Sequence, residues 1–460
     1  MSTRDTNECP DLQERMAALI GEGDVPTLEA VLEQLHPSDI ADVVESLSDE
    51  LRLALVRALP ADLASGTLAE MEEGEVRAEL LTALAPAEGA ELLHELSDDD
   101  AADLVGELAP EAQDRILAEL PTDEAGEIRD LLQYDEDTAG GIMTTALVSV
   151  LGHIRAGEAI EAVRAKGREV EDFYTVFVVD GDTKLLGTVP LDDLILSDPE
   201  HRISDLVEPT VASVFPESDQ ELVGHMIARY NLASIPVVSA DGVLLGRVTF
   251  DDVIDVIEAE TTEDLLLFSG LSEAEELRGS SLEAVRTRLP WLLLNTMTAS
   301  LAACVVWWFR SEIAAATLLA VAMPVVAGLG GNAGQQALAV TVRRLATSAG
   351  PLEARDRVVR KEILVGLFNG GAVGVLVAGA TAMLAQAMGA DARLGVVVLL
   401  AMWGNIAMAG FAGSFIPTFL DRIEHDPAVA STVFLTALTD LTGFLLLPWV
   451  GHGHPVKEGA

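Results

Sequence analysis

The sequence predicts a multidomain protein: an all-α superhelical N-terminal domain, then a pair of α/β modules, then an α-helical transmembrane bundle of five helices. Three observations predict this. Charge divides the chain in two, a strand-rich unit recurs at a fixed offset in the middle, and five long apolar runs close the chain. The 460 residues carry 75 acids against 28 bases, a formal net charge of −47, yet half of them are hydrophobic. Residues 1–280 hold 64 of the acids and 16 of the bases, whereas residues 281–460 hold 11 and 12. One uniform globular domain is thereby excluded, and a boundary falls near Ser280. Nucleic acid is disfavoured as a partner, because neither part offers the basic surface that phosphate contacts need.

Residues 1–27 read as a polar tail with no basic n-region and no apolar h-region, so residues 1–280 are expected to stay in the cytoplasm. Cys9 and Cys304 stand far apart in unlike contexts and build neither a disulfide framework nor a metal motif. Residues 28–136 repeat a short unit: a Pro or Ser, acids, then Ala and Leu at helical spacing. Pro37-Ser38-Asp39, Pro86-Ala87-Glu88, Ser97-Asp98-Asp99-Asp100 and Pro110-Glu111 are examples. Such caps, recurring every 11–13 residues, suit short helices wound as a small acidic solenoid.

Residues 137–200 and 201–262 form the duplicated unit. Val176-Phe177-Val178-Val179-Asp180-Gly181 is followed by Leu186-Gly187-Thr188-Val189 and Asp192-Asp193. Fifty-nine residues on, Val237-Val238 and Asp241-Gly242 are followed by Leu245-Gly246-Arg247-Val248 and Asp251-Asp252. Two strand–turn–strand–helix units with Asp-Gly hairpin turns, each with an Asp pair opening a helix, resemble a CBS-domain pair. The resemblance implies a sensor of small ligands, commonly ATP or another adenine nucleotide, that controls a partner domain. An acidic helix then runs from Asp252 toward the membrane, and residues 263–288 form a connecting, plug-like helix.

Residues 289–450 contain apolar runs at about 289–309, 313–335, 363–388, 393–420 and 428–450, each near or above the roughly 20 residues that cross hydrocarbon. Arg278, Arg286 and Arg288 precede the first run, and Arg343, Arg344, Arg355, Arg357, Arg360 and Lys361 separate the second from the third. The positive-inside rule therefore puts the N-terminal domains inside and the tail from residue 451 to 460 outside. Asn295, Asn332, Gln335, Gln336, Asn369, Asn405 and Asp440 lie within the runs. Polar groups at membrane depth are costly, which favours a bundle with a polar path over a bland anchor.

The second run contains Pro324, Gly328, Gly330, Gly331, Asn332, Gly334, Gln335 and Gln336. Proline and four glycines are expected to weaken the helix and bring backbone carbonyls toward a pore or a partner helix. Asn332 shares one helical face with Gln335 or Gln336, offering polar groups that can hold water on an ion. Asp440 is the carboxylate set well inside a run, with no Lys or Arg at comparable depth to pair with it. Membrane potential alone supplies about 2.3 kcal/mol per charge per 100 mV, or roughly 4.6 kcal/mol for a divalent cation.

In this order the motifs resemble the MgtE family of magnesium channels or transporters: P-x-x-x-G-x-G-G-N-x-G-x-Q from Pro324, the CBS pair, and an acidic helical domain before it. Asp137-Thr138-Ala139-Gly140-Gly141 and the stretch from Asp426-Pro427 to Thr439-Asp440 resemble it too. The resemblance implies a homodimer in the lipid bilayer of the inner membrane. In the pore it implies Asp440, Asn332 and Gln335. It also implies that cytosolic Mg²⁺ bridges acids and shuts the pore. The matching acids are Asp252, Asp255, Glu260 and Glu263 on the connector side, Asp219 and Glu221 in the second module, and Asp99 and Asp103 in the N domain. Asn231 stands where the family can carry an acid. A wider divalent permease (Co²⁺, Mn²⁺, Ni²⁺) and a membrane-tethered Mg²⁺ or nucleotide sensor without transport are the competing readings. No enzyme is expected, since the histidines are scattered and no nucleophile motif occurs.

Overall fold

In the computed structural model the described residues are 12, 15, 16, 19, 20, 25–32, 34–72, 74–167, 170, 173–268, 271, 281–347, 352–423 and 431–452. Cys9, the Asp426–Ala428 stretch and residues 453–460 of the tail lie outside them. Two units are compact in themselves, Met1–Ile257 and Glu258–Ala460.

The first unit opens with short helices: α1 (Val25–Leu32), α2 (Pro37–Ser46), α3 (Asp49–Ala58), α4 (Ala61–Ala69), α5 (Glu75–Ala83), α6 (Pro86–His94), α7 (Asp98–Gly106), α8 (Pro110–Leu117) and α9 (Glu124–Leu131). Proline occupies the first turn of α2, α6 and α8, and the Ser97 hydroxyl accepts the Asp100 N–H at the start of α7. Each helix packs on the one two places further along, as in α2 on α4, α4 on α6, α6 on α8 and α7 on α9. That alternation is the expected solenoid. Its spine is Ile40, Leu55, Leu68, Leu81, Leu93, Leu104, Ile116 and Ile128, one apolar side chain per helix.

Helices this short leave many carbonyls without an intrahelical donor. Buried arginines satisfy some of them. Arg52 donates to the carbonyls of Val44 and Leu47 at the end of α2. Arg77 donates to the Met71 carbonyl and pairs with Glu107 at 2.6 Å, while Glu107 also accepts the Gly74 N–H.

Residues from 137 build the two modules. In the first, β1 (Ser149–Leu151) runs parallel to β2 (Thr175–Val179), which is antiparallel to β3 (Leu185–Pro190), with α10 (Ala156–Lys166), α11 (Leu191–Leu196) and α12 (Ile203–Leu206). The second has α13 (Gln220–Tyr230), β4 (Ser234–Val238), β5 (Leu244–Thr249) and α14 (Phe250–Phe268). Val178 pairs with Gly187 and Val237 with Gly246, and each hairpin shifts register at the next residue. The offset of 59 is thus a structural repeat. The modules exchange their entry segments, however. Thr144 bridges to Arg247 of β5, and Glu208 bridges to Thr188 of β3. A Cβ at Gly246 would stand 2.7 Å from the Thr144 carbonyl oxygen, and one at Gly187 2.4 Å from that of Glu208. The expected division at 200/201 therefore separates the modules in sequence and not in space. The division at 262/263 falls inside α14, and that at 288/289 inside the next helix.

The second unit continues with α15 (Ser281–Trp308), α16 (Arg310–Ala315), α17 (Thr317–Thr347), α18 (Leu352–Ala387), α19 (Leu394–Arg422) and α20 (Ser431–His452). Five stretches are long and apolar enough to cross a membrane: 284–308, 317–345, 357–387, 394–422 and 432–450. The second expected span began at 313, but the helix axis breaks at Ala316 (φ −138°, ψ 83°). An apolar run records no change of direction, and the short helix α16, opening on the polar Arg310-Ser311-Glu312, separates the first long helix from the second. The helix α17 runs continuously through Pro324 and all four glycines, and its backbone comes close to a partner helix as expected. Close packing explains the continuity. Gly413 of α19 lies so near α17 that a Cβ there would stand 2.4 Å from the Gly334 carbonyl oxygen, and such contact holds a Pro- and Gly-containing helix together.

Truncating Glu107 to Ala strands a buried guanidinium, a loss of about 3 kcal/mol. Hydrogen exchange of the intact chain is expected to show protection at Val105 falling about a hundredfold, with the strands of the α/β pair unaffected.

Candidate cation sites

The second span divides its residues between two faces. Val326, Gly330, Gly334, Ala337 and Leu338 are buried against α19 and α20. A Cβ at Gly330 would collide with Asn405 and one at Gly334 with Leu435. Pro324, Gly328, Asn332, Gln335 and Gln336 are exposed on the other face, and a Cβ at Gly328 or Gly331 would meet nothing within 4 Å. The four glycines thus serve two ends: Gly330 and Gly334 allow helix contact, while Gly328 and Gly331 lower the wall of an open face.

Asp440 stands half-buried on α20. Gly334 meets Leu435, and Gly443 meets Val326, so α17 and α20 run antiparallel in a register that brings Asp440 level with Leu329 and Gly330. Asn332 is then within about one helical turn of it along the axis. Asn405, which the sequence placed among the polar groups of a path, is instead fully buried between helices and donates to the Val326 carbonyl at 2.9 Å. Asn295 and Asn369 are exposed on their own helices.

A second acidic site lies within the first unit. Asp99 is 8% exposed, and its Oδ1 has no hydrogen-bond partner among the described residues. Burial pushes its carboxyl well above the ordinary range, and the nearby charge of Asp252 adds to the effect. Burial likewise raises Asp252, to about 6, against a hydrogen bond from the Thr249 hydroxyl that favours the anion. Asp100 is raised by burial, with Asp251 contributing. Two helix N-termini, those of α7 and α14, therefore bring acids face to face.

Asp98 fastens this arrangement. Its carboxylate accepts the Thr145 N–H at 2.9 Å and the hydroxyls of Thr144 and Thr145. Asp98, Asp100, Asp251 and the two threonines were missed at sequence level, although the Asp98–Asp100 run and the Asp251-Asp252 pair carried the signal. Of the other expected acids, Asp103 is half-buried one turn after Asp99, and Asp255 is exposed one turn after Asp252. Glu260 and Glu263 lie half-buried further along α14. Asp219 caps its own helix, accepting the Glu221 N–H at 2.8 Å. No group of three or more His, Cys, Asp or Glu that could hold a metal ion is found among the described residues.

Comparison with known proteins agrees with this architecture. The family model described as a divalent cation transporter matches residues 323–450, that of the MgtE intracellular N domain residues 35–137, and that of the CBS domain residues 139–199 and 203–259. The magnesium transporter MgtE of Thermus thermophilus is 33% identical over 450 residues, covering 92% of this chain and 94% of the relative. That of Enterococcus faecalis is 38% identical over 71% of each. Among solved structures, the cytosolic domain of the Mg²⁺ channel MgtE in complex with ATP matches 53% of this chain and 99% of its own, with a TM-score of 0.51 and 34% identity.

Because Asp99 and Asp252 hold protons more tightly when α7 and α14 are apposed, apposition is favoured by acid. That contribution is complete below the ordinary carboxylate range and is lost as the pH rises through about 6. In chelator, spin labels on the helical domain and the α/β pair should report a shorter, narrower distance at about pH 5 than at about pH 7.5. Asp99→Asn together with Asp252→Asn should flatten the dependence.

Proposed function

The chain belongs to the MgtE family of divalent cation transporters, and from that premise we propose that it carries Mg²⁺ inward across the cell membrane as a homodimer. The observation that carries this reading is the divided second span. One face is sealed by helix packing, and the other leaves Gly328, Asn332 and Gln335 exposed, at about the level of the half-buried Asp440. Such a face is costly against lipid. A second copy supplies the opposite wall, so that two Asp440 carboxylates and the amides of Asn332 and Gln335 enclose one path. Mg²⁺ dehydrates reluctantly, and so sparse a ligand set suits an ion that retains its waters. The N-terminal domains then face the cytoplasm and the C-terminal tail the outside, as the arginine distribution requires.

The acidic apposition is the cytosolic sensor in this reading. Its fit to a divalent cation rests on the buried Asp99 oxygen, without a hydrogen-bond partner among the described residues, and on the nearby charge of Asp252. Asp99 and Asp252 would hold the ion, with Asp100 and Asp251 alongside. When bound, it supplies the positive charge that keeps the two helix N-termini together. Asp255, Glu260 and Glu263 continue the acidic line along α14, and Asp103, Asp219 and Glu221 complete the set that the family pattern marks. The domains divide as helical sensor (28–136), CBS modules (137–200 and 201–262), connector (263–288, part of which lies outside the described residues) and pore (289–450). An adenine nucleotide at the CBS pair is a second effector. Supporting it are the ATP complex of the 34%-identical cytosolic domain and an open depression of about 510 Å³ between Tyr134, Phe215 and Ser239.

Two measurements test the reading. Mg²⁺ uptake by vesicles reconstituted with the full chain should fall to background in Asp440→Ala, while a sensor without transport would leave both proteins equally silent. Competing Co²⁺, Mn²⁺ and Ni²⁺ in the same assay report the breadth of selectivity. In patch recordings, Asp252→Asn with Asp255→Asn should need at least about tenfold more internal Mg²⁺ for half-inhibition, a shift of about 1.4 kcal/mol. Unchanged inhibition removes these residues from the sensor.

A further inference from the structure

Asn405 has no role in the path described above, yet it occupies the junction of the second, fourth and fifth spans. It is fully buried. Its Nδ2–H donates to the Val326 carbonyl at 2.9 Å, and its Oδ1 has no hydrogen-bond partner among the described residues. Room for the amide comes from two glycines. A Cβ at Gly330 would stand 2.2 Å from Asn405 Nδ2, and one at Gly443 3.0 Å from it. An apolar side chain would fill this space without leaving an acceptor unpaired, so the carboxamide is a costly choice if packing is its only purpose.

What the amide adds is direction. Helices in lipid lack a hydrophobic drive toward one another, and apolar faces slide and rotate with little penalty. A donor aimed at one backbone carbonyl fixes both rotation and register. The turn it holds, Val326–Gly330, is the one whose far side carries Gly328 and leads into Asn332. The turn it rests against, at Gly443, lies three residues from Asp440. We propose that Asn405 is a positioning residue for transport: its carboxamide ties the second span to the fourth and to the Gly443 turn of the fifth, and so sets the separation of Asn332 from Asp440. The proposal rests on the reading of those two residues as the ion path.

The test is Mg²⁺ uptake by vesicles containing the full chain, at graded external Mg²⁺ and with Co²⁺ as competitor. Asn405→Leu keeps the branched heavy-atom skeleton, at a somewhat larger volume, and removes the donor. It should raise the half-saturating Mg²⁺ concentration at least about fivefold and weaken discrimination against Co²⁺, with maximal uptake changed by less than about threefold. Gly330→Ala, which keeps Asn405 but drives the amide off Val326, should shift both readouts the same way. In an Asn405→Ala background the added methyl has room, so Gly330→Ala should then change nothing further. If folded variants keep wild-type half-saturation and Co²⁺ discrimination, losing only maximal uptake or thermal stability, Asn405 merely packs and the proposal is overturned. Independent, additive effects of Gly330→Ala and Asn405→Ala overturn it equally, and that comparison decides alone should Asn405→Leu fail to assemble. Absence of uptake by the unmodified chain would sink the transport reading itself, an outcome distinct from unchanged selectivity in a transporting variant.

Discussion

Hydrocarbon offers no hydrogen-bond partner, so each polar group in a spanning helix must find one in protein or water. That constraint organises the second unit. On the packed side of α17 the need is met in part within the chain: the Asn405 Nδ2–H donates to the Val326 carbonyl, and Gly330, Gly334 and Gly413 let backbones and side chains approach closely. On the other side, Asn332, Gln335 and Gln336 are exposed. The same helix must be rigid on one side and open on the other, which is why its glycines cannot all be assigned one purpose.

Much of the fold was legible in the sequence because it rests on periodicity. The 59-residue offset reappears as paired registers, Val178 with Gly187 and Val237 with Gly246. Recurrent caps reappear as short helices, and five apolar runs as five long ones. What could not be read is what depends on direction or on distant partners. The helix break at Ala316 lies inside a composition that looks continuous. Exchange of entry segments between the modules follows from two glycines whose neighbours, Thr144 and Glu208, are far away in sequence. Asn405 looked like Asn332, an amide in an apolar run, and only packing distinguishes the buried amide from the exposed one. At the acidic junction, Asp98 and Asp100 seemed to be first-turn acids favoured by the helix dipole. Tertiary contact gives Asp98 a second use, as the acceptor for Thr144 and Thr145.

Apposed carboxylates are tolerable in this junction because both stand in the first turns of helices, where the N-terminal partial charge offsets part of their repulsion. The Asp98 hydrogen bonds do not depend on a cation, so apposition has a neutral component as well as an ionic one. A ligand changes such an equilibrium only by its differential affinity for the two arrangements. Reversing a population from about 1:99 to 99:1 requires about 5.5 kcal/mol, whereas a single coupled site supplies typically about 1–3 kcal/mol. One acid pair therefore cannot act as a switch alone. Several weak sites along one rigid element can. The helix α14 carries Asp252, Asp255, Glu260 and Glu263 over 19 unbroken residues, about 28 Å. Distributing acids along a stiff rod makes each occupied site favour the same arrangement, and the sum can reach what no single pair provides. In the proposed reading of these acids as a Mg²⁺ sensor, the acidity of the connector side would set the steepness of the switch, and a response to Mg²⁺ with more than one ion per subunit would follow.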